Sequence, residues 1–255
     1  MMSHSLFTDH LHFIPTPDFL MGKTVLVSGA SDGIGRCAAK YYSRFGADLI
    51  LLGRNKDKLI GVAHEISPTG RQILAIPLDL STATTNDYKT LTAKISSFKP
   101  QLDGALLSAG ILGDLSPITD IDIGNFDEVF NLNVRSQLLL TQALLPLLLK
   151  ASSSSLILTT SSVGKKSRAT WGSYAISKFA LEGLMQTIAD EYSGTSLRTN
   201  CINPGATRTK MRAKAKPEEN PMILKTPKDI MSGYLFLMDQ RSIGINGQTL
   251  DAQPK

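Results

Sequence analysis

Short apolar runs alternate with longer mixed segments along most of this chain. From residue 23 onward the apolar runs have strand length and the segments between them have helix length. No internal repeat or low-complexity linker interrupts the alternation. The pattern predicts strands at 24–28, 48–52, 72–78, 104–107, 156–160, 196–202 and 248–250. It predicts helices at 34–45, 55–66, 84–98, 125–149, 173–193 and 227–238.

This alternation predicts the fold class. Strands that are apolar along their whole length are typical of a parallel sheet that helices cover on both faces. We therefore predict an α/β fold, a single-domain Rossmann-type doubly wound parallel sheet of about seven strands, over residues 23–255. Residues 1–22 are expected to form an N-terminal arm. Because ligands of such sheets bind at the carboxyl ends of the strands, the residues after each strand are the candidates for chemistry.

Composition narrows the range of functions. The chain has 255 residues, 42% of them hydrophobic, which is enough to bury the core of one domain. Its two cysteines, Cys37 and Cys201, are not spaced like metal ligands or a redox pair, which favours a reducing, cytoplasmic location. The chain's start lacks an export signal, and the apolar run at 138–149 is too short to cross a bilayer. The net charge of +5 gives no strong case for nucleic acid or membrane partners.

A glycine-rich turn follows the first predicted strand. Glycine lets a backbone turn tightly and approach a pyrophosphate, while the next helix directs N–H groups at it. An ordinary strand-to-helix turn is the alternative, but a position at the first strand–helix junction favours a dinucleotide. The predicted cofactor-binding residues of this turn are Gly29, Ser31, Asp32, Gly33, Ile34 and Gly35.

The residues after the second predicted strand bear on the choice of cofactor. Arg54 stands where a protein specific for the non-phosphorylated cofactor usually has a carboxylate. A guanidinium can pair with a 2′-phosphate through two hydrogen bonds, so we predict NADP(H) over NAD(H). Two points weigh against this interpretation: Arg54 could simply face solvent, and Asp32 could repel the extra phosphate.

Tyr174 and Lys178 lie four residues apart in a predicted helix, so their side chains share one face. A phenol has a pKa of about 10, and a nearby cation lowers that pKa and makes the phenol a better proton carrier. Ser162 follows the strand at 156–160 and could hydrogen-bond a substrate oxygen. The competing interpretation of Ser162 is ordinary loop chemistry.

Together these motifs resemble the short-chain dehydrogenase/reductase family over nearly the whole chain from about residue 22. Four segments are similar to its YciK-type bacterial branch. They are residues 143–150, 171–179, 200–205 and 251–254. The resemblance implies a tetrad that shares a proton relay, with a helix kink at its Asn and a water held by a backbone carbonyl there. The matching residues are Asn133, Ser162, Tyr174 and Lys178.

The resemblance also implies further cofactor contacts: an acid at the adenine amino group, a turn after the fourth strand, and a loop at the nicotinamide carboxamide. These positions are Asp79, Leu80, Ser108, Ala109, Gly110, Pro204, Gly205, Thr207 and Thr209, together with Tyr174 and Lys178. Two departures from the family matter. Ser108 stands where the family has an Asn whose amide stiffens the sheet. Either the Ser108 side chain makes that contact in its place, or the contact is lost. The interval from Ser162 to Tyr174 is one residue short, which leaves Ser161 as a substitute.

Two charged segments are candidates for recognition. The family's substrate lid corresponds to residues 207–226, whose cations could attract an acidic substrate or an acyl carrier, although a solvated charged loop is the favoured explanation. The lid cations are Arg208, Lys210, Arg212, Lys214 and Lys216. His4, His10 and His12 have no nearby fourth ligand, so we predict no metal site and a mobile or surface-packed arm.

The sequence therefore predicts an oxidoreductase that transfers hydride between NADP(H) and a small carbonyl or alcohol substrate, with Tyr174 as general acid/base. A 3-oxoacyl-thioester (acyl carrier) reductase is the narrower alternative. A catalytically silent nucleotide-binding regulatory protein is the alternative from another class. The helices at 125–149 and 173–193 resemble the family's subunit-contacting pair, so a homodimer or homotetramer is expected.

Overall fold

A parallel sheet of seven strands runs through the centre of this computed structural model, which describes residues 10–254. The strands are β1 (Thr24–Ser28), β2 (Asp48–Gly53), β3 (Ile73–Pro77), β4 (Gly104–Leu107), β5 (Ser154–Thr159), β6 (Leu197–Asn203) and β7 (Thr249–Asp251). Their order is β3-β2-β1-β4-β5-β6-β7, and every neighbouring pair is parallel. The predicted doubly wound sheet is confirmed.

Helices cover both faces of the sheet. They are α1 (Gly33–Arg44), α2 (Lys56–Ile66), α3 (Thr85–Phe98), α4 (Ile123–Phe130), α5 (Ser136–Leu148), α6 (Gly172–Glu191), α7 (Lys210–Ala215) and α8 (Met231–Met238). One core packs α1, α2 and α8 against the sheet, and a second packs α3, α5 and α6 against its other face. The strands are apolar on both sides because both sides face a core.

The long predicted helix at 125–149 is divided into two helices. A π-helical turn, Asn131–Arg135, separates α4 from α5, and the Ser136 N–H bonds to the Asn131 carbonyl five residues back. The predicted helix at 227–238 begins as a 3-10 turn, Pro227–Ile230, before α8. The short helix α7 lies in the predicted lid and was not expected.

The part of the arm that the structure describes, residues 10–22, packs on the face that α8 covers. The His10 ring bonds through Nε2 to the Asp251 carbonyl at 2.7 Å, and the Phe13 ring lies 5.5 Å from the Phe236 ring. His4 lies outside the described residues. Within residues 10–254 no three His, Cys, Asp or Glu side chains are grouped as for a metal, and no helix is long and apolar enough to span a membrane.

Candidate active site

A cleft of about 610 Å³ opens at the carboxyl ends of the strands, where the sheet order reverses between β1 and β4. Ligands of doubly wound sheets bind at this place. All of the predicted cofactor residues line it, as do Ser162, Tyr174 and Lys178, whereas Asn133 does not. Motifs that are spread over most of the chain in sequence therefore lie around a single cleft in the structure.

The glycine turn between β1 and α1 leaves no room for side chains. Gly29 has a φ of 67°, and a Cβ there would lie 2.9 Å from the backbone nitrogen of Ala109. A Cβ at Gly35 would collide with the carbonyl oxygen of Gly29. Asp32 caps α1 by accepting from the Gly33 N–H at 2.8 Å. Backbone therefore forms the floor of the cleft at the start of a helix, as a pyrophosphate requires.

Asp32 also forms an ion pair across the cleft. Its carboxylate lies 2.6 Å from Nζ of Lys210 in the predicted lid. The hydrogen bond from Lys210 is the main reason that the pKa of Asp32 is below its usual range, and burial opposes the change. The negative charge that argued against a 2′-phosphate is therefore partly neutralised.

Two cations lie at the other end of the cleft. Arg54 lines it as expected, and so does Lys58, which sequence reasoning missed. Neither has a carboxylate within 4.0 Å among the described residues. Asp79 is held by Ser81, whose hydroxyl donates at 2.6 Å, and this bond lowers the pKa of Asp79. Lys58 could have been inferred from Asn55, whose side chain caps α2 by accepting from the Lys58 N–H and which lines the cleft as well.

Ser161, and not Ser162, lies beside the Tyr174 phenol. The Ser161 side chain acts to lower the pKa of that phenol, while Ser162 is exposed and accepts from the Arg168 guanidinium at 3.4 Å. The difference arises because Ser161 caps the 3-10 turn Ser162–Gly164, so the next residue already turns outward. Counted from Ser161, the interval to Tyr174 has the usual family length.

The phenol of Tyr174 and the amine of Lys178 are both buried. Burial raises the pKa of Tyr174 to about 12, with the Ser161 side chain acting in the opposite direction. Burial lowers the pKa of Lys178 to about 8, opposed by the charges of Cys201 and Glu182. The Lys178 Nζ donates to the Thr159 carbonyl at 2.8 Å and lies 5.4 Å from the Tyr174 ring centre. The expected lowering of the phenol pKa is thus absent, and the phenol carries its proton at neutral pH.

Asn133 is fully buried in the π-helical turn. Its side chain accepts from the Ile111 N–H at 2.9 Å and donates to the Ile111 carbonyl at 2.9 Å. It also donates to Ser177 Oγ at 3.0 Å, which in turn donates to the Tyr174 carbonyl at 2.7 Å. Asn133 therefore joins the loop after β4 to α6. The helix irregularity is present where the resemblance implied it, and the relay water stays a prediction.

The missing Asn after β4 is replaced by a contact from β1. The hydroxyl of Ser28 accepts from the backbone N–H groups of Ser108 at 3.1 Å and Ala109 at 3.3 Å. The sheet is thus joined here by backbone donors and not by the Ser108 side chain.

The loop after β6 is fastened by the C-terminal segment. Gln253 Nε2 donates to the carbonyls of Pro204 at 2.7 Å and Ala206 at 3.1 Å. Thr207 donates to the Pro204 carbonyl at 3.0 Å, and Thr209 caps α7. Gln253 belongs to the motif that begins at Asp251, but nothing in its sequence position indicated this contact.

Each of the five lid cations that the sequence singled out already has a partner. Arg208 donates to the carbonyls of Met222 and Leu224, both at 3.2 Å, and the other four form ion pairs. The pairs are Lys210 with Asp32, Arg212 with Glu219, Lys214 with Asp114 and Lys216 with Glu218. The lid is therefore not the free cationic surface that its sequence suggested.

The comparisons with known proteins agree with this geometry. The sequence profile of the short chain dehydrogenase family matches residues 23–220. The chain belongs to this family and is an oxidoreductase.

Its relatives confirm the predicted YciK-type branch. The chain is 52% identical over 245 residues to the oxidoreductase YciK of Escherichia coli (strain K12), covering 96% of this chain and 97% of that protein. A short chain dehydrogenase from Shigella flexneri 2a complexed with NADP is 52% identical, with a TM-score of 0.92 over 94% of this chain and 100% of that one. One from Escherichia coli CFT073 complexed with NADPH is 54% identical, with the same TM-score and coverage.

Proposed function

We propose that this protein reduces a carbonyl compound to an alcohol with NADPH, and that Tyr174 supplies the proton. The convergence of Tyr174, Ser161 and the buried amine of Lys178 in one cleft carries the proposal, with the amine 5.4 Å from the centre of the Tyr174 ring. Two hydroxyls and a cation that converge on one point can hold and protonate a carbonyl oxygen.

The cleft fits a phosphorylated nicotinamide cofactor. The backbone floor at Gly29 and Gly35 suits a pyrophosphate, and the unpaired cations Arg54 and Lys58 suit a 2′-phosphate. The relatives solved with NADP and NADPH support the same preference over NAD(H). When bound, the reduced nicotinamide supplies a hydride to the carbonyl carbon.

The residues of the chain then handle the proton and the charge. A phenol with a pKa of about 12 is protonated at neutral pH, so Tyr174 can donate its proton to the carbonyl oxygen. Ser161 donates a hydrogen bond to the same oxygen as negative charge develops on it. Lys178, with a pKa of about 8, is a cation at neutral pH and stabilises the phenolate that is left. Asn133 acts as a positioning residue, with a water on the kinked helix returning the proton.

The two alternatives have less support. The acyl carrier reductase depended on a free basic lid, and the lid cations are paired. The catalytically silent protein depended on the altered turn after β4 and on the shortened serine loop. Ser28 contacts the backbone of that turn, and the interval counted from Ser161 to Tyr174 is not short.

Replacing Tyr174 with Phe tests the function. We expect carbonyl-dependent NADPH oxidation to fall by about 10²-fold or more, because the proton donor is lost while the ring still packs. Tyr41→Phe, a partly exposed tyrosine outside the cleft, is the matched control and should keep full turnover. Turnover that survives in Tyr174→Phe would reject the proposed proton donor.

We also infer that the chain forms a dimer or a tetramer. Leu138 on α5 and Ile176 and Phe179 on α6 are 42%, 43% and 44% exposed, which is high for large apolar side chains on packed helices. Light scattering of the wild type and of Phe179→Glu tests this, and a monomeric wild type would overturn it.

A further inference from the structure

The cations of the cleft differ in how their charge is balanced. Lys210 and Arg212 in the lid are paired with carboxylates, and Lys178, at the substrate end of the cleft beside Tyr174, donates to a backbone carbonyl. Arg168 also lines the cleft, yet no carboxylate of the described residues lies within 4.0 Å of it. Within residues 10–254, its only side-chain hydrogen bond is the long one to Ser162. Arg168 is therefore a cation with free donors at the substrate end.

Arg168 lies on the same side of the cleft as Trp171, whose ring neighbours the reacting phenol. Its guanidinium carbon is 6.0 Å from the centre of the Trp171 ring, and that ring is 6.0 Å from the Tyr174 ring in an edge-on arrangement. The two distances of 6.0 Å place the guanidinium carbon at most 12 Å from the centre of the Tyr174 ring. The loop is held in place at Thr170, which has a left-handed φ of 68° and accepts through its carbonyl from the Ser116 N–H at 2.9 Å.

The wall between these groups is apolar. Trp171 packs in a small cluster with Leu112, Val163 and Ala215, and Met211 packs against it. These side chains line the cleft next to Tyr174. A carbon chain fits such a wall, whereas polar groups along it would lose their hydrogen bonds with water.

We propose that the substrate is a carbonyl compound that carries an oxyanion, a carboxylate or a phosphate, at the far end of a short apolar body, and that Arg168 binds this group. The inference rests on the proposed function, since it names the substrate class of the same site. A guanidinium binds both oxyanions through paired hydrogen bonds. The anionic group is unchanged in the reaction, in which the carbonyl carbon gains the hydride and its oxygen the Tyr174 proton.

This assignment gives Ser162 a role of its own. The hydroxyl that accepts from Arg168 at 3.4 Å lies next in sequence to Ser161, which lies beside the phenol. Ser162 is then a positioning residue that orients the guanidinium. The two adjacent serines would serve opposite ends of one substrate.

Matched substrates test the inference by kinetics. The probes are straight-chain oxo acids of increasing length, their methyl esters, and the corresponding oxo alkyl phosphates, each followed by NADPH oxidation. We expect the wild type to favour an anion over its ester by about 10- to 100-fold in kcat/KM, because a charge-assisted bond to Arg168 is lost in the ester. Arg168→Gln should reduce that ratio at least about tenfold. Lys166→Gln, an exposed neighbour outside the cleft, should keep it.

A binding measurement decides the matter without turnover. Hexanoate, hexyl phosphate and hexanamide are titrated calorimetrically into the enzyme saturated with NADP⁺. Tighter binding of either anion than of hexanamide, lost in Arg168→Gln, supports the inference, and the preferred anion identifies the group. Equal binding of all three, or anion binding that Arg168→Gln leaves unchanged, overturns it. If neutral carbonyls are reduced equally well, the proposed function stands without this inference; if no carbonyl is reduced, that function fails and the anion titration still reports on Arg168.

Discussion

Gln253 donates from Nε2 to the carbonyl oxygen of Pro204 at 2.7 Å, and so fastens the C-terminal segment to the loop after β6. A second bond from the same nitrogen reaches the Ala206 carbonyl at 3.1 Å. The loop expected to contact the nicotinamide carboxamide is thus held by a side chain from beyond the last strand.

Replacing Gln253 with Ala should weaken cofactor binding. Two backbone carbonyls lose their donor, and the loop becomes less ordered before the cofactor arrives. We expect the Kd for NADPH to rise about fivefold, corresponding to about 1 kcal/mol, in a fluorescence titration. Gln240→Ala, an exposed glutamine outside the cleft, is the control. An unchanged Kd would mean that the loop keeps its shape without Gln253.

The two serines after β5 should have separable effects. Ser161→Ala removes the hydroxyl beside the Tyr174 phenol, so we expect kcat to fall about 100-fold with little change in KM. Ser162→Ala removes the acceptor of Arg168 and should raise KM for anionic substrates more than it lowers kcat. Steady-state kinetics of the two variants checks this, and the opposite assignment of the two effects would restore Ser162 as the reacting serine.

Arg54 and Lys58, the two cations that we propose bind the 2′-phosphate, should set the preference for NADPH over NADH. Arg54→Gln and Lys58→Gln should each raise the Kd for NADPH by about 10- to 100-fold, because each loses a charge-assisted bond to the 2′-phosphate. Binding of NADH should hardly change. Lys56→Gln, exposed on the same helix but outside the cleft, controls for general electrostatics. If the Kd for NADH rose as much as the Kd for NADPH, these side chains would not be the ones that bind the 2′-phosphate.

Lys178 should make folding stability depend on pH in a defined window. Its pKa falls from 10.5 to about 8 on folding, so between these values the folded protein binds fewer protons than the unfolded chain. The stability cost is therefore fully present below pH 8 and is relieved as the pH rises to 10.5, by roughly 3 kcal/mol in total. Urea unfolding of the wild type and Lys178→Met checks this. The wild type should gain relative to the variant across that window, and a constant difference would contradict the burial of the charge.

Much of the fold could be predicted because the strands of a parallel sheet are buried on both faces. The strands β1 and β4 appear in the sequence as apolar runs with the observed bounds. The π-helical turn at Asn131–Arg135 was implied only by the family resemblance. The apolar pattern could not show it, since the turn depends on one extra backbone residue and leaves that pattern intact. Helix α7 is too short and too rich in cations to show a helical period.

The cofactor side of the site was more predictable than the substrate side. Gly29 and Arg54 follow directly after strands, where position alone indicates a role. The choice between Ser161 and Ser162 depended on the residue at which a 3-10 turn begins, which two identical neighbours do not reveal. Arg168 lines the cleft from a loop, and Gln253 bonds to the loop after β6 from beyond the last strand. A single sequence has no local pattern for such contacts.

The ion pair between Asp32 and Lys210 has a consequence for the kinetics of the enzyme. It crosses the mouth of the cleft, and its side chains are 49% and 82% exposed, so it is weak and breaks readily. We expect an entering dinucleotide to displace the Asp32 carboxylate from Lys210, because its phosphates can pair with the lysine instead. Entry of the cofactor is then an ion exchange, whose speed we expect to depend on the ionic strength of the surroundings.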